Sequence, residues 1–106
     1  MNKITLSVAE RAVLPTILPE AGRKIEIILA NDLIEKVEFS IEEISEFELR
    51  DYGEGRIAWN KDKERDKEIE LSEEQVTLLK NCSTRLDGEG KVTRYNLSLL
   101  QKIDKI

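Results

Sequence analysis

The sequence has 106 residues, of which 40% are hydrophobic and 37% charged, with a formal net charge of −5. This length suits a single domain over residues 1–106, and the apolar fraction is too high for a disordered chain. Apolar runs such as residues 27–30 are too short for a membrane span, and residues 1–11 lack the apolar segment of a signal peptide, so neither is expected.

The first predicted helix runs from about Ser7 to Leu18. Ser7 and Glu10 have the spacing of a capping box, in which each side chain accepts a backbone N–H at the helix start. Pro15 lacks the N–H for one helical bond, so we expect a kink or an early end there. Residues 23–37 begin with a strand-like alternation, but their length and a spacing of four favour helix. The broad apolar face of this second helix predicts a central place in the core.

A third helix is expected after Ser40, which has Glu43 three residues later. From residue 46 the hydrophobic period changes to two. This period predicts an antiparallel β-meander of three short strands, near residues 46–50, 56–60 and 67–71. Glycines in residues 52–55 suit a hairpin turn between the first two strands, and the fully charged residues 61–67 suit a solvated connection. One face of the meander should be buried, formed by Phe47, Leu49, Ile57, Trp59, Ile69 and Leu71.

A fourth helix from Glu73 to about Leu86 follows a capping box at Ser72 and ends in a glycine-containing stretch at residues 87–90. A fifth, from Arg94 to about Lys102, begins after Thr93. The fold class is therefore α+β, with about five helices and a three-stranded meander. We expect the apolar residues to be committed to the core, leaving a polar exterior.

The sequence contains no catalytic constellation, so we do not expect an enzyme, a metal or a cofactor. Histidine is absent, which removes the usual general base and the commonest metal ligand. Cys82 is the one cysteine, so an intramolecular disulfide is excluded and a cytoplasmic protein is expected. Because Cys82 lies on the apolar stripe of the fourth helix, we interpret it as a buried structural thiol. Asp32 is the most notable carboxylate and is interpreted as an exposed polar position. Glu42 and Glu43 suit the first turn of a helix, where the dipole favours negative charge.

The candidate contact patch is on the predicted hairpin and comprises Arg50, Tyr52 and Arg56. Tyrosine and arginine are enriched at interface hot spots, and Tyr52 at a turn tip should be exposed. Packing of Tyr52 on its own hairpin is the alternative. Trp59 is assigned to the core because it alternates in phase with Ile57.

A three-stranded sheet has two open edges, which proteins cover or charge. Glu68, Glu70 and the charged connection are candidates for this protection. Alternatively, an edge or the apolar second helix is buried in a homodimer, the commonest oligomer. We therefore expect a homodimer.

Several segments together resemble small uncharacterised proteins encoded by bacteriophages and prophages. They are residues 6–11, 18–22, 55–60, 67–71 and 90–99, which span most of the chain. The resemblance names no activity and carries no functional residues over. It implies a bacterial host cytoplasm and a role in phage biology, such as counter-defence by occupying a host protein.

The leading hypothesis is therefore a small non-enzymatic binding protein that occupies a host or phage protein. One alternative is sequestration of a small anionic ligand such as a signalling nucleotide, with donors from helix starts at Ser40, Ser72 and Thr93 and from Arg50, Arg56 or Arg94. A second is a winged-helix-like DNA-binding regulator. Nucleic acid is not expected, because residues 40–60 hold six acidic and two basic side chains where a wing should be basic.

Overall fold

A computed structural model describes residues 2–53 and 56–106 of the chain. These residues form five α-helices, one 3₁₀ turn and four strands, and the strands make two separate two-stranded antiparallel sheets. The α+β class is confirmed, whereas the predicted three-stranded meander is replaced by the two smaller sheets. The elements are β1 (Asn2–Leu6), α1 (Val8–Ile17), α2 (Lys24–Val37), α3 (Ile41–Glu46), β2 (Arg50–Gly53), β3 (Arg56–Ala58), the 3₁₀ turn (Lys61–Lys63), β4 (Lys67–Leu71), α4 (Glu73–Gly88) and α5 (Leu97–Asp104).

The first sheet pairs β4 with β1, a strand that was not predicted. Ile4 lies opposite Ile69, and these two side chains, with Leu6 and Leu71, are buried on one face of the pair. The buried face predicted for residues 67–71 is therefore confirmed, but its partner strand is at the start of the chain.

Both edges of this sheet are met by a lysine from a helix. Lys102 on α5 donates from its ammonium to the carbonyl oxygen of Thr5 on β1 at 2.7 Å. Lys36 on α2 donates to the carbonyl oxygen of Glu70 on β4 at 2.9 Å. Each lysine therefore satisfies a backbone acceptor that an edge strand would otherwise present to water.

The core lies between the β1–β4 sheet and the helices α1, α2, α4 and α5. Its fully buried members include Leu6, Leu33, Leu99 and Ile103. α2 faces this core with its second half, whereas its first half leaves two large apolar side chains in solvent: Ile25 is 54% exposed and Ile28 62% exposed. Residues 23–37 were therefore predicted correctly as a helix. The predicted central place in the core applies only to the second half of that helix.

The second sheet is the β2–β3 hairpin, which starts later than predicted. The stretch predicted as a strand at 46–50 instead ends α3: Phe47 is the buried C-terminal cap, and Glu48 adopts a left-handed backbone with φ 54°. The N–H of Leu49 then donates to the carbonyl of Ile44 at 2.9 Å, which closes the helix end. Because Glu48 is not a glycine, the sequence did not signal this reversal. Part of the predicted turn, residues 54 and 55, lies outside the described residues.

Ile57 and Trp59 do not share an interior face with Ile69 and Leu71. The hairpin strands pair with each other and not with β4, and both Ile57 and Trp59 are only half-buried. The expectation that these four side chains form one buried face is wrong. It follows that not every large apolar residue is committed to the core.

Helix boundaries follow the capping signals with small shifts. Pro15 lies inside α1, which continues to Ile17, one residue before the predicted end at Leu18, so the helix does not end early at the proline. α4 extends to Gly88, and Gly90 takes the left-handed conformation with φ 67° just beyond it. α5 begins at Leu97 and not at Arg94, because Thr93 and Asn96 bond to each other in a preceding turn. No helix in residues 2–53 and 56–106 is long and apolar enough to cross a membrane.

Candidate partner-binding groove

A groove of about 580 Å³ lies between α1, the β2–β3 hairpin and the segment that precedes α5. It is larger than a second groove, of about 440 Å³, which lies between α2 and α4. The two grooves also differ in composition, since the larger one is rich in aromatic side chains. We take the larger one, called here the aromatic groove, as the candidate site.

The α1 wall of the aromatic groove is built from small side chains. Ala9, Ala12, Val13 and Thr16 line it, and their spacing places them on one face of the helix. The opposite face of α1 is buried in the core through Leu14 and other residues. Small side chains on the outer face leave the space that makes the groove.

Arg11 fixes this helix against the elements that follow it. Its guanidinium is completely buried and donates to the carboxylate of Glu43 at 2.7 and 3.0 Å and to the carbonyls of Val37 and Glu38 at 3.2 and 2.8 Å. The Phe39 ring stacks on it, with 4.2 Å from Cζ to the ring centroid. The hydrogen bonds from Arg11 lower the pKa of Glu43 to about 2. Sequence reasoning missed this buried cation, because arginine is rarely expected in a core.

The hairpin wall carries Ile57 and Trp59 on one side of the chain, as the alternation of a strand requires. Asn60 holds the base of the hairpin to the end of α3: its N–H donates to the carbonyl of Phe47 at 2.7 Å, and its side-chain amide donates to Glu48 at 2.6 Å. The indole N–H of Trp59 donates to the carboxylate of Glu64. The indole is therefore oriented by a hydrogen bond while one part of it faces the groove.

Both tyrosines and the one tryptophan of the chain line the aromatic groove. Tyr52 is 62% exposed and Tyr95, on the segment before α5, is 83% exposed. Such exposed aromatic residues supply large contact areas with few rotatable bonds, as hot-spot residues do. Tyr95 was not predicted as a site residue. Its position among the polar residues 93–96 was a signal that its ring is exposed.

The charge of the aromatic groove is simple. Arg56 is its one charged lining residue, and no carboxylate lines it among the described residues. The predicted contact patch is therefore brought together in part: Tyr52 and Arg56 line the groove, whereas Arg50 is exposed on the same hairpin outside the lining.

The helix starts that were considered as anion-binding sites bond internally. The hydroxyls of Ser40 and Ser72 accept from N–H groups within their own helices, and Glu43 and Gln75 accept the N–H of each serine in return. Thr93 and Asn96 make the equivalent exchange. Capping has therefore taken up part of the donor set that an anion would use.

The remaining candidates lie apart from the aromatic groove. Cys82 is buried as predicted, and burial raises the pKa of its thiol. Asp32 is exposed as predicted; it accepts from Gln75 at 2.7 Å and pairs with Lys36 at 3.2 Å, and the bond from Gln75 is the main cause of its lowered pKa. In the ranges 2–53 and 56–106, no group of three or more Cys, Asp or Glu residues is placed to hold a metal ion.

Comparisons of the chain with family models, with curated proteins and with solved structures give no match. The aromatic groove therefore has to be interpreted from its own chemistry.

Proposed function

We propose that the protein is a non-enzymatic binding protein that acts by occupying a partner protein through the aromatic groove. The observation that carries the proposal is the convergence of Tyr52, Trp59 and Tyr95 on one open groove. Exposure of an aromatic ring to water is unfavourable in free energy, and contact with a partner removes that exposure. Aromatic residues also dominate the binding energy of many interfaces.

The partner that fits this groove is a protein segment with an apolar side chain next to a carboxylate. The apolar side chain would lie between the small α1 wall, at Ala9 and Ala12, and the ring of Trp59. The carboxylate would pair with Arg56, the one charge in the lining. A bidentate arginine–carboxylate pair adds geometric selectivity to the apolar contact. Because the chain as a whole is acidic, we expect this pair to act at contact range and not to steer the partner from a distance.

The biological setting we propose is a bacterial cytoplasm, with the partner a host or phage component. The support for it is the sequence resemblance to phage and prophage proteins, carried by segments such as residues 55–60 and 67–71. Occupying a host defence protein is one role that this setting allows.

The proposal is tested by capture from bacterial lysate with the wild-type chain and a groove variant, Tyr52→Ser/Tyr95→Ser. A matched control is Ile41→Ser, because Ile41 is 83% exposed, on α3, and outside the groove lining. We expect a partner that the wild type and the control retain and the groove variant loses. Titration of that purified partner should change the fluorescence of Trp59, and each tyrosine substitution should weaken binding by roughly tenfold or more.

Two results would contradict the proposal. One is a partner that binds the groove variant as tightly as the wild type. The other is that the wild-type chain captures only proteins that the groove variant also captures. The partner's chemistry has a separate test: Arg56→Gln should weaken a captured partner, and raising the salt concentration should reduce the difference between Arg56→Gln and the wild type.

A further inference from the structure

The outer face of α2 combines exposed apolar side chains with charges of opposite sign at its two ends. Ile25 and Ile28 are three residues apart on neighbouring positions of the helix surface and are more than half exposed. Ile25 also lines the groove of about 440 Å³ between α2 and α4, together with Leu29 and Leu78. Charged residues also line this groove, so the exposed apolar area of the face is centred on Ile25 and Ile28. The charged residues are Arg23, Glu26 and Glu74.

Lys24 is a cation in the first turn of α2, where the helix dipole favours an anion such as Glu26 in the same turn. Asp32 lies near the middle of the helix, and the last turn carries the cation Lys36. Within residues 2–53 and 56–106, Lys24 forms no ion pair. Neither the dipole nor a described ion pair accounts for a cation at this position.

A second copy of the same face, turned antiparallel, complements it in charge. Lys24 and Asp32 are each four residues from Ile28 and therefore lie on its side of the helix, one turn before it and one turn after it. Within residues 2–53 and 56–106, Asp32 contacts Gln75 and Lys36 of its own chain through Oδ2. If Ile28 lies at a two-fold axis, Lys24 of each copy meets Asp32 of the other and pairs with its Oδ1, and the two isoleucines meet at the centre. A two-fold contact of this kind uses the same patch on both copies.

We propose that the protein forms an antiparallel homodimer through α2, with Ile28 at the two-fold axis and two reciprocal Lys24–Asp32 ion pairs. This interface is separate from the aromatic groove, whose lining includes no residue of α2. The dimer therefore goes beyond the proposed function, and the aromatic groove of each copy stays open to a partner.

The first test is sedimentation equilibrium of the purified full-length chain over a wide concentration range. The wild type should show a mass of twice 12.2 kDa at high concentration. Ile28→Glu should give a single-chain mass, because it places two carboxylates together at the axis. Ile41→Glu is the matched control: it adds the same charge at an exposed isoleucine outside α2 and should leave the dimer intact.

A charge swap separates a direct contact from a change in folding. Lys24→Glu should weaken the dimer by roughly two- to fivefold. Asp32→Lys should weaken it by at least as much, because it also removes the contacts of Asp32 with Gln75 and Lys36 in its own chain. The double variant should dimerise better than either single variant, because the swapped charges attract each other again. Circular dichroism spectra identify any variant that does not fold. A wild-type chain that stays monomeric at millimolar concentration would overturn the proposal, as would a dimer that is equally stable in Ile28→Glu. A double variant that folds but dimerises no better than the single variants would overturn the assigned ion pairs.

Discussion

The guanidinium of Arg11 on α1 holds the carboxylate of Glu43 on α3 through two hydrogen bonds, of 2.7 Å and 3.0 Å. The same Glu43 accepts the N–H of Ser40 at 2.9 Å and so completes the capping box of α3. One carboxylate therefore starts a helix and neutralises a buried cation. The stability of α3 and the position of α1 depend on the same pair.

Replacing Arg11 with methionine should destabilise the fold by about 3–5 kcal/mol, because Glu43 and two backbone carbonyls lose their partner in a buried setting. Urea unfolding measures the free energy of unfolding directly. The control is Arg65→Met, since Arg65 pairs with Glu46 on the surface, where its side chain is 66% exposed. Its cost should stay below about 1 kcal/mol, and an equal cost in the two variants would contradict the role of Arg11.

The low pKa of Glu43 predicts a specific pH dependence. Its pKa is about 2 in the folded chain against an ordinary value of 4.5, so the folded state binds fewer protons at this site than the unfolded state. The stabilisation is complete above about pH 4.5 and is lost as the pH falls from there toward 2. We expect this group to account for about 1–3 kcal/mol of the change in unfolding free energy, the lower figure corresponding to strong solvent screening.

Glu43→Gln tests this origin, because glutamine does not titrate. The stability of the variant should be lower than that of the wild type at pH 7, and the difference should shrink as the pH falls toward 2. A difference that stays constant between pH 7 and pH 2.5 would assign the acid sensitivity to other carboxylates.

Lys102 stabilises the junction of β1, α1 and α5. Its ammonium pairs with the buried carboxylate of Glu10 at 2.6 Å and with the carbonyl of Thr5 at 2.7 Å. Burial acts to raise the pKa of Glu10, but the hydrogen bonds from Lys102 and Ser7 outweigh it and leave that pKa lowered. Lys102→Met should therefore cost about 1–3 kcal/mol of unfolding free energy at pH 7. Lys3→Met removes an exposed pair with Glu68 and should cost less than about 1 kcal/mol; the reverse order would refute this assignment.

Cys82 should react with thiol reagents only when the fold opens. It is 3% exposed, and burial raises the pKa of its thiol, so the reactive thiolate is both scarce and covered. Labelling with a disulfide reagent should be slow in buffer and fast in guanidinium chloride. Rapid labelling of the folded chain would contradict this expectation and show that α4 opens locally around Cys82.

Local signals in the sequence predicted the helices well. The capping serines at positions 7, 40 and 72 all form reciprocal bonds, because a capping box depends on residues three apart and little else. Strand β4 was also predicted with its boundaries at 67–71 and its buried face on Ile69 and Leu71. These features are set by short-range periodicity.

Strand partners and the aromatic groove were less predictable because they depend on contacts between distant residues. The alternation of Ile4 and Leu6 at the start of the chain is short, and nothing local shows that β1 pairs with β4. Trp59 has the same phase as Ile57 whether that face meets the core or a groove, so the pattern could not distinguish them. Tyr52 and Arg56 were predicted from the hairpin, but Tyr95 joins them only through the placement of α5.

The lysines that meet the carbonyls of Thr5 and Glu70 limit how the molecule can aggregate or assemble. An incoming strand would have to displace an ammonium group from each of these acceptors before it could extend the ladder. Acetylation of Lys36 or Lys102 would remove the charge from this contact and leave one amide N–H in place of the three ammonium donors. Extension of the sheet at either strand would therefore require the loss of one of these two lysine contacts.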